Sequence, residues 1–217
     1  MIAYFSRTGT RRNLDACHAA GWHMLLSPKG MMGPLEPRWE GRRALDSGAW
    51  WSFRNNQPFD EAAYDAALQK FGLGSNWIAL PDIVAGGLES LELSLRWLEM
   101  LRRRRALNDS MFMLVVQDGM EAHHVRPLIG LKLGIFLGGS TAWKIDTMRQ
   151  WGQLARERGA YYHVGRVNSA RRIHACEAAG ADSFDGTSAT CFAVTVRPLE
   201  LARQQIDIER YLGRIAP

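Results

Sequence analysis

The chain has 217 residues, of which 47% are hydrophobic and 23% charged, a composition typical of a globular protein and unlike that of a disordered one. It contains neither an apolar run of the roughly 18–20 residues that a membrane-spanning helix needs nor a signal-peptide pattern at its start, so no membrane protein is expected. The net charge of +5 permits binding to a polyanion without requiring it.

Short apolar runs alternate along the chain with longer amphipathic stretches. Continuous apolar runs of this length are typical of strands that are buried on both faces. The predicted strands are, in chain order, Trp22–Leu26, Arg43–Leu45, Trp77–Leu80, Phe112–Val116, Ile135–Leu137, Tyr161–Val164 and Asp182–Phe184, with Ile2–Phe5 as a further candidate at the start.

The amphipathic stretches between these runs predict helices. The first begins at Asp60, a suitable N-cap, and ends at Gly72. The others cover Leu88–Leu107, a segment after Ser140, Ser169–Ala179 and Leu199–Leu212. Repeated alternation of strand and helix predicts a parallel α/β protein, either an open doubly wound sheet or a compact (βα)8 barrel.

Polar residues and glycines follow the predicted strands where each strand ends. They are Asp46, Asp82, Gln117, Gly138, Gly139, Arg166 and Asp185. In a barrel these ends all meet at one mouth, whereas in an open sheet only those near the switch point meet. Each aspartate alone is explained by a helix cap or a turn, but their repetition favours a cluster of acids that raise one another's pKa.

Three kinds of chemistry fit such a cluster. The glycine-rich segment at residues 138–141 precedes a helix and could hold a phosphate, although the complete P-loop motif is absent. Three aspartates could bind a divalent metal. Two carboxylates with separate roles suit glycosyl transfer, in which one attacks C1 of a sugar and the other moves protons.

The motifs resemble those of one enzyme family in the same order. Residues 46–50 (DSGAW) resemble the D-S-G-G-[FY] segment of tRNA-guanine transglycosylases, and residues 134–139 (GIFLGG) resemble their G-G-L segment. Residues 182–185 (DSFD) resemble their D-x-F-D nucleophile segment, with Asp82 and Gln117 in the expected order between these motifs. Residues 81–84, 116–119, 139–144 and 163–168 are more similar to the phage and bacterial branch, the DpdA-like 7-deazaguanine DNA transglycosylases.

This resemblance implies a compact (βα)8 TIM-type barrel that occupies residues 1–217 as one domain. The tRNA enzymes carry a C-x-C-x-x-C zinc site with a histidine after the nucleophile segment, whereas here only Cys191 follows Asp185 and no histidine does. We therefore expect no zinc subdomain and no metal. With Cys17 and Cys176 far away, the cysteines form no disulfide scaffold, which favours a cytoplasmic protein, in the host if a phage encodes it.

The resemblance also implies a role for each residue at the strand ends. Asp185 is the expected nucleophile and Asp46 the expected general acid and base. The expected substrate-binding residues are Asp82 for N1–H and the amine of guanine, Gln117 and the backbone of Gly138 and Gly139 for O6, and Trp50 and His163 as the walls of the base pocket. The expected phosphate contacts are Arg166, Arg171 and Arg172.

The implied reaction exchanges guanine in DNA for a free 7-deazaguanine such as preQ0, through a covalent sugar intermediate and without a cofactor. The expected partners are DNA and the free base, and no association with a membrane is expected. The sequence leaves open whether the protein forms a homodimer. Three alternatives also stay open: the same chemistry on RNA, a non-catalytic deazapurine-binding barrel, and a metal-dependent sugar or phosphate enzyme.

Overall fold

The computed structural model describes residues 1–8, 10–30, 32–107 and 109–215, with side chains up to residue 205. Eight parallel strands close into a barrel in the order of the sequence. The strands are β1 Ile2–Ser6, β2 His23–Leu26, β3 Arg43–Leu45, β4 Ile78–Ala79, β5 Phe112–Val116, β6 Leu133–Leu137, β7 Tyr162–Val164 and β8 Ser183–Gly186. The pairing of Ile2 with Ser183 and of Phe5 with Gly186 joins the first strand to the last, so the barrel, and not the open sheet, is the architecture.

Helices surround this barrel. They are α1 Arg11–Ala19, α2 Ala49–Arg54, α3 Glu61–Ala67, α4 Gly87–Arg102, α5 Ala122–Val125, α6 Thr141–Arg158, α7 Ala170–Ala178, α8 Ser188–Cys191 and α9 Val196–Ile215. The caps follow the sequence signals, since the Asp60 carboxylate accepts from Ala63 N at 2.9 Å and Ser140 and Ser169 cap α6 and α7 in the same way. Within the described residues, no helix has the length and apolarity needed to cross a bilayer.

The barrel separates two hydrophobic layers. Alternate strand residues point inward and form a small core that includes Tyr4, Leu25, Trp77, Met113 and Phe136. The residues between them point outward and pack under the helices in a much larger core. This alternation decides which polar side chains at the strand ends face the barrel interior.

The predicted strands are confirmed, and most differences concern helices. The predicted helix over Leu88–Leu107 is shorter, because α4 ends at Arg102 and a separate 3-10 turn follows at Arg105–Leu107. The final helix begins at Val196, before the predicted start at Leu199.

Candidate active site

The carboxyl ends of the strands enclose a cavity of about 130 Å³ at one mouth of the barrel. Residues predicted from six segments of the chain line it together: Asp46, Trp50, Asp82, Gln117, Gly138, Gly139, Arg166 and Asp185. Val115 and Phe136 from the inner core also line the cavity, and they were not among the predicted site residues. The three aspartates therefore share one site, as the barrel predicts.

The turn after β3 carries two hydrogen-bonding side chains of the site, those of Asp46 and Ser47. Ala44 points into the barrel and Leu45 outward, so the alternation points Asp46 inward at the strand end. Gly48 has φ +84°, which lets the chain turn at once into α2, and its N–H lies 3.3 Å from Asp46 Oδ2. The Ser47 hydroxyl donates to Asp82 Oδ1 at 2.9 Å.

Gln117 connects the acidic wall, which consists of Asp46 and Asp82, to the glycine segment at residues 138–139. Its Nε2 donates to Asp82 Oδ2 at 2.6 Å, and its Oε1 accepts from Gly139 N at 3.0 Å. Gly139 has φ +73°, and a Cβ there would lie 2.5 Å from Asp118 Oδ2, so this close approach requires glycine. Gly138 N donates to Val116 O at 3.0 Å. In this structure both glycine N–H groups expected to hold guanine O6 thus bond within the protein, while Gln117, whose Nε2 carries a second hydrogen, lines the cavity.

The acidic wall has raised pKa values. Burial, and then the charges of Asp82 and Asp185, raise the pKa of Asp46 to about 7, against a smaller opposing effect of the backbone N–H of Gly48. Burial also raises the pKa of Asp82 to about 6, although hydrogen bonds from Ser47 and Gln117 favour its ionised form. Near neutral pH, Asp46 can therefore both give and take a proton, while Asp82 is mainly an acceptor.

Asp185 occupies the opposite wall and is fixed at both carboxylate oxygens. His163 Nε2 lies 3.1 Å from Oδ2, and the backbone N–H of Arg166 donates to Oδ1 at 3.2 Å. The main-chain carbonyl of Asp185 accepts from Val167 N at 2.6 Å. These contacts hold the carboxylate in one orientation at the cavity wall.

His163 was expected to form a wall of the base pocket, but it does not line the cavity. It lies beneath the cavity, behind Asp185. Its ring is fully buried against Tyr4, Trp77 and Phe136, and its Nδ1 lies 2.7 Å from Ser183 Oγ. Burial lowers its pKa, with the hydrogen bond to Asp185 opposing this shift. Burial thus favours the neutral imidazole, and in the neutral tautomer with Nε2–H donating to Asp185, Nδ1 accepts from the Ser183 hydroxyl.

Arg166 crosses the mouth from the β7 side to the α2 side. Its guanidinium lies 4.0 Å from the ring centre of Trp50 and also donates to Gly139 O. Arg166 has φ +59°, a left-handed conformation that is uncommon outside glycine and that is often found at functional sites. The face of Trp50 expected to stack on a base therefore carries a planar cation in this structure.

Basic groups surround the turn after β7, at residues 165–166. Lys144, which is buried and was not predicted, donates from Nζ to Gly165 O at 2.5 Å, and burial lowers its pKa to about 8. Arg172 lines a small cleft beside Lys144 and Arg166. Arg171 is exposed on α7 and lines neither space. Of the three predicted phosphate contacts, Arg166 is thus in the cavity, Arg172 beside it and Arg171 further out.

No protein-family model matches the chain, and no curated protein resembles it at a significant level. In the described part of the chain, no group of three or more His, Cys, Asp and Glu side chains is placed to hold a metal ion. Function therefore has to be inferred from the chemistry of the cavity.

Proposed function

We propose that the protein is a transglycosylase that replaces guanine in DNA with a 7-deazaguanine of the preQ0 type. The supporting observation is that Asp46 and Asp185 face one cavity with different surroundings: Asp46 has a pKa of about 7, and Asp185 is fixed by two hydrogen-bond donors. Two carboxylates with separate roles in one site are the usual basis of double-displacement chemistry at a sugar.

The reaction proceeds in two displacements. An Asp185 oxygen attacks C1′ of deoxyguanosine, the C1′–N9 bond breaks, and N9 of the leaving guanine keeps the electron pair and takes a proton from Asp46. The incoming 7-deazaguanine then loses its N9 proton to the Asp46 carboxylate, N9 attacks C1′, and the ester bond to Asp185 breaks. Asp46 and Asp185 return to their starting states, so no redox or energy-supplying co-reactant is required.

The remaining polar groups of the wall recognise the base edge. Asp82, with two hydrogen bonds from neutral donors, accepts from N1–H and the exocyclic amine, and Gln117 Nε2 donates its second hydrogen to O6. Guanine and its 7-deaza analogues share this edge, so one set of groups binds both the leaving and the incoming base. Trp50 stacks on the base once the Arg166 guanidinium has moved from its face.

The groups behind Asp185 act as positioning residues. The Ser183 hydroxyl fixes the His163 tautomer, and His163 in turn fixes Asp185 Oδ2. Lys144 fixes the carbonyl of Gly165 next to the Arg166 N–H that holds Oδ1. Arg166, Arg171 and Arg172 contact the phosphates of the substrate. The logarithm of the binding constant should therefore fall with the logarithm of the salt concentration, with a slope of about −0.9 per neutralised phosphate on duplex DNA and about −0.7 on a single strand.

The direct test is incorporation of labelled preQ0 into guanine-containing DNA by the purified protein, compared with Asp185→Asn. The wild type is expected to incorporate the label and release guanine, and the variant is expected to do neither while keeping its circular dichroism spectrum. Binding of the base without exchange would identify a non-catalytic binding barrel instead. Exchange only on RNA would identify the RNA alternative, and loss of activity in a chelator would identify the metal-dependent alternative.

A further inference from the structure

Helix α2 presents its large side chains outward. Its buried residues are the small Ala49 and Ser52, whereas Trp50, Trp51 and Phe53 are 39%, 42% and 56% exposed. An ordinary surface helix buries its aromatic residues, since these gain most from leaving water. A cluster of exposed aromatic side chains at the rim of a cavity therefore requires a partner surface.

We call the exposed rings of Trp50, Trp51 and Phe53 the aromatic shelf, and it begins at Trp50 in the cavity. Trp50 lines that cavity, and its ring stacks with Phe53 at 5.7 Å and an interplanar angle of 26°. Trp51 borders a second, open depression of about 500 Å³, with Lys29 Nζ 5.1 Å from its ring centre. The shelf thus runs from the cavity to the outer surface.

The opposite side of the mouth is basic. Lys144, Arg166 and Arg172 lie around the β7 end, and Arg166 reaches across the cavity to Trp50. Aromatic faces on one side and cations on the other are what a polynucleotide with unstacked bases requires, because its bases offer flat faces and its phosphates offer negative charge. A lipid surface or a second copy of the chain would not need this combination beside a base-sized cavity.

We propose that the aromatic shelf stacks against the nucleobases next to the exchanged guanine, so that the substrate is single-stranded or locally melted nucleic acid. This inference rests on the proposed function. A guanine in the cavity has left its stack, and its neighbour has lost a stacking partner. Trp51 and Phe53 replace that partner only if the neighbouring base is itself unpaired, because bases inside a duplex have both faces covered.

The test measures binding of a labelled single-stranded oligonucleotide and of its duplex to the wild type, Trp51→Ala, Phe53→Ala and the double variant. We expect the wild type to prefer the single strand and each substitution to weaken that binding by about tenfold. The control is Phe192→Ala, since Phe192 is 63% exposed and lies outside both α2 and the cavity lining. It is expected to bind like the wild type.

Binding of free preQ0 separates this inference from the proposed function. Trp51→Ala should bind the free base as the wild type does, because Trp51 does not line the cavity. Trp51→Ala is the variant for this comparison, since Phe53 stacks on Trp50. Three results would each overturn the role of the shelf. The first is wild-type affinity of the shelf variants for single strands, and the second is equal binding of single strand and duplex by the wild type. The third is conversion of a dimer to a monomer by the substitutions. Base exchange that persists alongside such a result would leave the proposed function standing, while failure of the wild type to bind base or nucleic acid would overturn both.

Discussion

Two walls of the cavity, one with Asp46 and the other with Asp185, use the same residue type in different surroundings. On the β3 side, Asp46 lies near two other carboxylates and accepts one long hydrogen bond of 3.3 Å from Gly48 N, and its pKa rises to about 7. On the β8 side, Asp185 is held at both oxygens by His163 and by the Arg166 N–H. In the proposed reaction, burial and the neighbouring charges suit Asp46 to proton transfer, whereas the two donors that orient Asp185 suit it to attack.

Removal of the nucleophile should give the largest effect. Asp185→Asn keeps the shape and the hydrogen-bond acceptor at Oδ1 but cannot form an ester with C1′, so base exchange should fall by several orders of magnitude. Single-turnover release of labelled guanine from DNA measures this effect. Release at a rate near that of the wild type would transfer the nucleophilic role to another group.

Removal of the proton carrier should give the next largest effect. Asp46→Asn should slow exchange by about 10²- to 10⁴-fold. In the wild type, guanine release needs protonated Asp46 and should decline as pH rises through about 7, whereas capture of the incoming base needs ionised Asp46 and should decline below that pH. Rates of the two half-reactions measured separately against pH test this sign, and parallel profiles would refute it.

Loss of the positioning hydrogen bond should have a smaller effect on catalysis. Ser183→Ala leaves the Nδ1 position of His163 without its hydrogen-bond partner, so kcat should fall by about 10- to 100-fold while KM for the free base stays unchanged. Ser183→Thr retains the hydroxyl and should recover most of the rate. An equal loss in both variants would indicate a packing effect at this buried position and no role for the hydroxyl.

The smallest expected effect is on the stability of Asp46→Asn, which should rise where its activity falls. Because the folded pKa of Asp46 lies above its ordinary value of 3.8, the folded state prefers the protonated form and loses stability as pH rises from about 4 to about 7. Asp46→Asn should therefore be more stable than the wild type at pH 8 and no more stable below pH 4. Denaturant unfolding at both pH values measures the difference, and a gain of equal size at both would contradict the raised pKa of this carboxylate.

Local sequence patterns predict much of the barrel and of this cavity. Alternation along β3 and β8 places Asp46 and Asp185 inward, and the chain order of the strands brings their ends to one mouth. His163 was predicted as a site residue, but its position behind Asp185 depends on the register that pairs it with Ser183. That register is a property of two distant segments and has no local signal.

Two further features follow from tertiary contacts alone. The stacking of Arg166 on Trp50 joins β7 to α2, and no spacing in the sequence indicates it. Helix α2 itself escaped prediction because it buries Ala49 and Ser52 and exposes its aromatic residues, the reverse of the periodicity by which helices are recognised. Both features are at the mouth of the barrel, and local rules of sequence are expected to fail at a functional site.

The most direct test of the two-wall account is intact-mass analysis of the protein mixed with guanine-containing single-stranded DNA and quenched in denaturant before any 7-deazaguanine is added. The account predicts a covalent protein–DNA species whose peptide map places the sugar on Asp185, and which accumulates in the wild type and disappears on addition of preQ0. No covalent species, or an adduct on Asp46 or Asp82, would contradict the assignment of the nucleophile.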